Sequence, residues 1–186
     1  NIIGLIRIKS EKNMRDTYQV NIAGVTRELP LFEVKPGLRI AVLNILGDTE
    51  LVQASAKALV SKLDGKQYDL LVTAESKSIP LAHAMAVLKN ITYVVLRKSY
   101  KPYMGEALEV ETNSITTGSE QKLILDEKDK RLIEGKKVLI VDDVISTGST
   151  LEAMRKLMQM ANATVVEEVA IFTEGNADDW KGIISL

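Results

Sequence analysis

Along most of the chain, short apolar runs alternate with stretches in which apolar residues recur every three or four positions. Residues 39–46 read as a strand, Asp48 as a helix N-cap, and 49–63 as a helix that buries Leu51, Val52, Leu59, Val60 and Leu63. Strands at 68–74, 92–96, 138–141 and 164–172 follow, with helices over 80–88 and 151–161 between them. Strands that are apolar throughout are covered on both faces, which predicts an α/β fold built on a mostly parallel sheet with helices on either side. Two stretches stand outside this alternation. Residues 97–126 form an insertion whose segments 107–115 and 121–125 flank Thr116-Thr117-Gly118, a β-hairpin excursion off the sheet. Residues 17–36 carry turn signals at Ala23-Gly24 and Lys35-Pro36-Gly37 and read as a separate flap. No repeat, low-complexity tract or linker divides the chain, so a single domain over 1–186 is expected, with the flap at about 1–38, the core at about 39–186 and the inserted loop at about 97–126.

The segment Lys137-Val138-Leu139-Ile140-Val141-Asp142-Asp143-Val144-Ile145-Ser146-Thr147-Gly148-Ser149-Thr150 carries the densest chemistry. An apolar strand ends in two carboxylates and passes through a loop of small residues into a helix. The loop offers hydroxyls and a glycine that lets backbone approach an anion, and a helix starting near Ser149 aims its unpaired N–H groups at the same place. Carboxylates repel a bare phosphate, yet they accept hydrogen bonds from vicinal sugar hydroxyls. Acids next to an anion nest therefore point to a phosphorylated sugar.

This segment resembles the PRPP-binding signature of the type I phosphoribosyltransferases, in which an apolar strand is followed by Asp-Asp or Glu-Asp, two variable residues and a Thr-Gly-(Gly/Ser/Thr)-Thr turn. Every position of the signature is matched. The resemblance implies the type I phosphoribosyltransferase fold, a Rossmann-like, mostly parallel sheet flanked by helices, with a small N-terminal hood and a flexible β-hairpin loop. It implies that Asp142 and Asp143 hold the ribose 2- and 3-hydroxyls of PRPP. Val144 and Ile145 occupy the variable positions of the substrate site, and Ser146, Thr147, Gly148, Ser149 and Thr150 cradle the 5-phosphate.

A second cluster, Ala74-Glu75-Ser76-Lys77-Ser78-Ile79-Pro80, also leaves a strand and enters a helix, and so forms a second anion nest. It resembles the pyrophosphate loop of the purine enzymes, with Glu75 as its acid, backbone amides of Ser76, Lys77 and Ser78 holding the leaving pyrophosphate, and the Lys77 ammonium adding charge. Ser78 stands where relatives usually have Gly. A third cluster places Arg97, Lys98 and Lys101 just past the strand at 92–96. These match the Arg-Lys pair and further Lys that lead into the mobile loop of purine phosphoribosyltransferases. Cleaving the bond from C1 to pyrophosphate leaves an oxocarbenium-like sugar, so catalysis needs a stabilised leaving group and an in-line nitrogen nucleophile, with no covalent protein nucleophile. The expected catalytic set is Asp142, Asp143, Lys77, Arg97 and Lys101. Mg2+ is the expected cofactor, carried by the phosphate oxygens of PRPP, with Asp143 as a candidate ligand and Glu75 assisting through water.

Base recognition is less legible. Ala23-Gly24-Val25-Thr26-Arg27 resembles a Pro-Gly-Val…Arg stretch of adenine phosphoribosyltransferases, which nominates Val25 and Arg27 for the base pocket, and Phe172 and Glu174 join them at the exit of the last core strand. The loop Glu that handles the base proton in the adenine enzymes has no counterpart at Thr116-Thr117-Gly118. Glu106, Glu109, Glu111 and Glu120 are candidates, and no feature of the sequence selects one. The Thr-rich hairpin is closer to xanthine phosphoribosyltransferases and to purine-repressor effector domains. Tyr100, Tyr103 and Trp180 are possible stacking partners, with edge packing the expected role of Trp180; the lone His83 is expected to be packed on its helix.

Composition narrows the remaining classes. A net charge of −1 leaves no broad basic footprint for nucleic acid or an anionic membrane surface. With no Cys there is neither a disulfide framework nor a thiolate metal site, which fits a reducing compartment. The longest apolar runs fall far short of the ~20 residues of a membrane helix, and 2–8, interrupted by Arg7, does not read as a secretory signal. The sequence therefore predicts a cytoplasmic purine phosphoribosyltransferase acting on PRPP and a free purine, adenine ahead of 6-oxopurines. The alternatives are a xanthine/6-oxopurine phosphoribosyltransferase or a PRPP-binding regulator of the same fold, and against the regulator the residues before the core are too few for a winged-helix domain plus a hood. A homodimer is expected by resemblance.

Overall fold

The computed structural model describes residues 16–113 and 120–186. The turn Thr116-Thr117-Gly118 lies outside the described residues. Two compact units emerge, one containing Thr26–Leu43 with the described residues up to Val20, the other containing Asn44–Leu186 with Asn21–Val25.

The first unit is a three-stranded sheet in the order β1-β2-β3, with β1 Thr17–Ile22, β2 Val25–Lys35 and β3 Leu38–Ala41. Ala23 and Gly24 connect the first two strands at φ 51° and 86°. Both are left-handed, as the mirror-image hairpin turn requires, so the Ala23-Gly24 signal is a true turn. The strand expected over 39–46 is different in the structure. Only Leu38–Ala41 is extended and paired, antiparallel to β2 through Phe32↔Ile40 and Glu33↔Arg39. Beyond it Leu43 and Ile45 are buried without joining a ladder; alternate burial mimics a strand pattern whether or not a partner strand is present.

The second unit carries a five-stranded sheet in the order β10-β9-β8-β4-β5, parallel throughout, from β4 Leu70–Ala74, β5 Thr92–Leu96, β8 Lys137–Ile145, β9 Thr164–Thr173 and β10 Ile183–Ser185. Asp48 caps α1 Thr49–Lys62 by accepting from the Leu51 N–H at 3.1 Å, as its sequence position predicts. α1 packs against α2 Ile79–Lys89, which lies over β4, β5 and β8. On the other face, α4 Ser149–Met160 packs with the antiparallel hairpin of β6 Leu108–Asn113 and β7 Glu120–Leu125, tied to β5 by a bridge between Arg97 and Ile124. Leu70, Val72, Val138 and Ile140 join Met154, Leu157 and Met158 in that buried layer, the period-two alternation of strands covered on both faces. The short 3-10 turns at Pro102–Met104 and Ala177–Trp180 escape the sequence reading, as do one α-helix and one strand. α3 Glu127–Ile133 is a short helix capped by Asp126, and β10 is three residues long, too brief for periodicity to register. Among the described residues no helix is long and apolar enough to cross a membrane.

From β4 the chain steps through α2 to β5 on one side, and from β8 it steps through α4 to β9 on the other. The order thus reverses between the neighbours β4 and β8, and their carboxyl ends open a crevice at this switch point. Both anion-nest loops leave from these two strands. Leu157, fully buried between α4 and the sheet, holds one of them in place. Leu157→Ala is expected to cost about 2–5 kcal/mol in urea unfolding monitored by circular dichroism.

Candidate functional site

β8 runs on through the two acids to Ile145 before it turns, so Asp142 and Asp143 are inside the strand and each is 8% exposed. The expectation that they emerge at the strand exit is corrected here. Alternation places Asp142 toward α4 and Asp143 toward α2. Ser78, itself 2% exposed at the start of α2, reaches both. Its Oγ lies 2.7 Å from Asp142 Oδ1 and 3.0 Å from Asp143 Oδ1, while the Asp143 N–H donates to Ser78 Oγ at 3.1 Å and to Asp142 Oδ1 at 2.9 Å. Beyond the backbone amide expected of Ser78 for pyrophosphate, its side chain is committed to the acids. Burial, with the Asp143 charge adding to it and the Ser78 hydrogen bond opposing it, pushes the Asp142 carboxyl from 3.8 up to about 7.

The loop after β8 has the form of an anion cradle. Gly148 takes φ 78° at the N-cap of α4, a left-handed conformation that suits glycine, and the helix begins at Ser149 as expected. The Thr147 and Ser149 hydroxyls lie 3.0 Å apart. Asp142, Val144, Ile145, Ser146, Thr147, Gly148, Thr150 and Leu151 enclose a cavity of about 90 Å³. That is room for several waters or one tetrahedral anion at the amino end of a twelve-residue helix. A larger cavity of about 330 Å³ between α1 and α2 is mainly apolar and contains none of the expected site residues. Chemistry, and not size, assigns the site to the smaller one.

The loop after β4 is held by charge. The Glu75 N–H donates to the Leu96 carbonyl at 2.9 Å, and its carboxylate accepts from Arg97 Nε at 2.6 Å and from the Lys98 N–H at 2.7 Å. Burial alone raises the Glu75 pKa, but the Lys98 amide and the Arg97 guanidinium outweigh it and hold the carboxyl below its usual range. Arg97 was read as a cation for the leaving group; the structure ties it to Glu75, which raises its own pKa, and joins its backbone to Ile124. Ser76, Lys77, Lys98 and Lys101 are exposed around the crevice rim. The peptide between Glu75 and Ser76 is cis.

Of the base-pocket candidates, Phe172 and Glu174 stand at the end of β9, where Phe172 pairs with Val144 and the Glu174 N–H donates to the Ile145 carbonyl at 2.8 Å. They are thus beside the acid strand. Val25 and Arg27 lie two residues apart on β2, half-buried within the N-terminal sheet. Among the hairpin acids, Glu109 and Glu111 pair with Lys122, and the side chain of Glu120 lies outside the described residues. His83 packs edge-on against Tyr93 with ring centroids 5.7 Å apart, as a packed residue would. Two contacts were invisible to sequence reasoning because both span the fold. One is the Ser78 bridge, the other the Trp180 ring, which lies directly over Gly148.

A parallel sheet with an acid pair and an anion cradle at its switch point defines a protein that handles a phosphorylated sugar. Residues 42–181 match the phosphoribosyl transferase domain family. The chain belongs to that family. A hypoxanthine/guanine phosphoribosyltransferase of Methanothermococcus okinawensis is 34% identical over 134 residues, covering 72% of this chain and 69% of the relative. A protein of the same name from Methanococcus voltae is 36% identical, covering 69% of this chain and 64% of the relative, so this chain spans about two thirds of their lengths. The fold is that of the adenine phosphoribosyltransferase of Thermoanaerobacter pseudethanolicus, at 24% identity and a TM-score of 0.69 over 85% of this chain and 94% of the other. The type I fold expected from the sequence is thereby established.

The buried acid gives a pH signature. An unfolded Asp titrates near 3.8, the folded Asp142 near 7. Between these values the folded state keeps a proton that the unfolded state has lost, so stability falls as pH rises through this window and stays lower above it. Asp142→Asn is expected to flatten that slope and to be more stable than the wild type at pH ~8, measured by urea unfolding across pH. An unchanged slope in the variant would assign the titration elsewhere.

Proposed function

We propose that this protein is a purine phosphoribosyltransferase that transfers the 5-phosphoribosyl group of PRPP to a purine nitrogen, releasing pyrophosphate and forming a nucleoside 5-monophosphate. The observation that carries this reading is the cavity that Asp142 shares with Ser146, Thr147, Gly148 and Thr150. In this reading the acid pair accepts from the ribose 2- and 3-hydroxyls once Asp142 gives up its proton. The 146–150 loop and the amino end of α4 hold the 5-phosphate. Amides of Ser76 and Lys77 receive the departing pyrophosphate, and the Lys77, Lys98 and Lys101 ammonium groups balance its charge. Arg97, clamped by Glu75, sets the shape of that loop and stands at its edge. No covalent intermediate on the protein is needed, because the leaving group departs from a sugar that carries the positive charge itself.

Magnesium fits this arrangement. Among the described residues no group of three or more His, Cys, Asp or Glu side chains is placed to hold a metal, whereas Mg2+ typically keeps its waters and takes one or two carboxylates plus substrate phosphates. Asp143, with Asp142, would be those carboxylates, and the ion would supply charge neutralisation at the pyrophosphate oxygens. For the acceptor we favour a 6-oxopurine over the adenine expected from the hood, since the two methanogen relatives at 34% and 36% identity are named for hypoxanthine and guanine while the adenine enzyme of Thermoanaerobacter pseudethanolicus shares 24%. We carry the homodimer and the cytoplasmic setting as part of the same proposal.

A second reading has one observation behind it. A purine biosynthesis transcriptional activator, PurR, of Lactococcus lactis is 27% identical over 159 residues, covering 82% of this chain and 58% of that protein. A PRPP-binding regulator would retain the site and lack turnover. The two readings part in one assay, in which the protein, PRPP and Mg2+ are incubated with hypoxanthine, guanine, xanthine or adenine and pyrophosphate release is followed. Turnover with a 6-oxopurine that falls at least ~100-fold in Asp142→Asn/Asp143→Asn is expected, as befits loss of groups that act on the transition state. PRPP binding by calorimetry without turnover on any base would replace the enzyme with the regulator.

A further inference from the structure

We infer that Trp180 is a positioning residue that braces the 5-phosphate loop and links it to the segment at the end of β9. The inference deepens the reading proposed above and rests on it. A Cβ built on Gly148 would lie 3.1 and 3.2 Å from two ring carbons of Trp180, so the indole edge sits directly over the left-handed glycine of the cradle. The indole is itself held by a hydrogen bond and by packing, and the chain beyond it is anchored in the sheet. Its Nε1 donates to the Glu174 carbonyl at 2.6 Å, its ring packs against the buried layer under α4, and two residues on Gly182 leads into β10, which is laddered to β9 through Ile183↔Glu168. Glu174 in turn donates its N–H to the Ile145 carbonyl, the residue before the cradle begins.

The result is a closed circuit from Ile145 to Glu174 to Trp180 and back to Gly148. An anion cradle works only when its N–H groups are already aimed, since ordering a loop at the moment of binding costs affinity. The indole edge against Gly148 limits the movement of the loop by direct contact. The pyrophosphate loop at 75–78 has no part in this circuit. Bracing by Trp180 should therefore act on the 5-phosphate end of PRPP and leave the pyrophosphate end alone.

Trp180 is the single tryptophan of the chain, so its emission reports on this contact without labelling. We would titrate the full chain with ribose 5-phosphate, with pyrophosphate and with PRPP, each with Mg2+, and follow both indole fluorescence and binding heat. Ribose 5-phosphate is expected to shift the emission and pyrophosphate to leave it unchanged. Trp180→Ala is expected to weaken ribose 5-phosphate by about tenfold with pyrophosphate affinity preserved, raising KM for PRPP more than it lowers kcat. Trp180→Phe, which keeps a ring and loses the Nε1 donor, should retain most of the affinity. Ribose 5-phosphate binding that is detected by heat yet leaves the emission of the wild type unmoved overturns the brace, as does equal weakening of both ligands in Trp180→Ala. Absence of heat for PRPP and ribose 5-phosphate alike would instead overturn the phosphoribosyltransferase reading, and the brace with it.

Discussion

Two carboxylates buried side by side are unstable unless their lone pairs are met, and Ser78 Oγ lies within hydrogen-bond distance of both while the Asp143 N–H donates to Asp142. An isolated buried charge costs several kcal/mol; burial accordingly pushes the Asp142 carboxyl up to about 7, and Ser78 at the start of α2, 64 residues before Asp142, lies against both acids. This contact joins the two loops that leave the switch point. It ties the start of α2 to the end of β8, and so sets how far apart the two anion nests stand. The rest of the site is arranged around that distance.

The same economy shows in the charges around it. Arg97 is half occupied in holding Glu75, and Glu75 in turn is occupied in shaping its own loop. A cluster rich in cations by sequence is therefore divided by the fold into a structural clamp and a set of exposed lysines. The clamp decides where the loop stands, and the lysines remain at the rim, where a highly charged leaving group would collect them. An ion pair elsewhere has a plainer role: the exposed Arg155 on α4 grips the buried Glu168 on β9 through both carboxylate oxygens, holding the helix that bears the phosphate cradle against the sheet.

Much of this architecture is legible in the chain because it is local. Asp48 caps α1 through a hydrogen bond three residues long, the apolar strands at 70–74 and 92–96 pair in parallel within a sheet whose faces are covered by helices, and the turn at Ala23-Gly24 follows from backbone preference. The reading fails where a local pattern has two solutions. Residues 39–46 carry strand periodicity, yet the pairing partner of Leu38–Ala41 is β2 and not the core sheet, and Leu43 and Ile45 are buried without a partner strand. Periodicity reports which side of a segment is apolar; it cannot say which strand lies alongside.

By itself, then, the amino-acid order determined the α/β alternation, the family signature from Lys137 to Thr150 and the chemical kind of each loop, because strand, cap and anion nest are written in residues close together. Only the tertiary structure decided what those groups do to one another. Ser78 bridges the acids, Glu75 claims Arg97, and Trp180 lies on Gly148, each across a separation that no local pattern encodes. The physical reason is that burial and close approach, which shift a carboxyl's pKa or restrain a loop, depend on which segments the chain brings into contact.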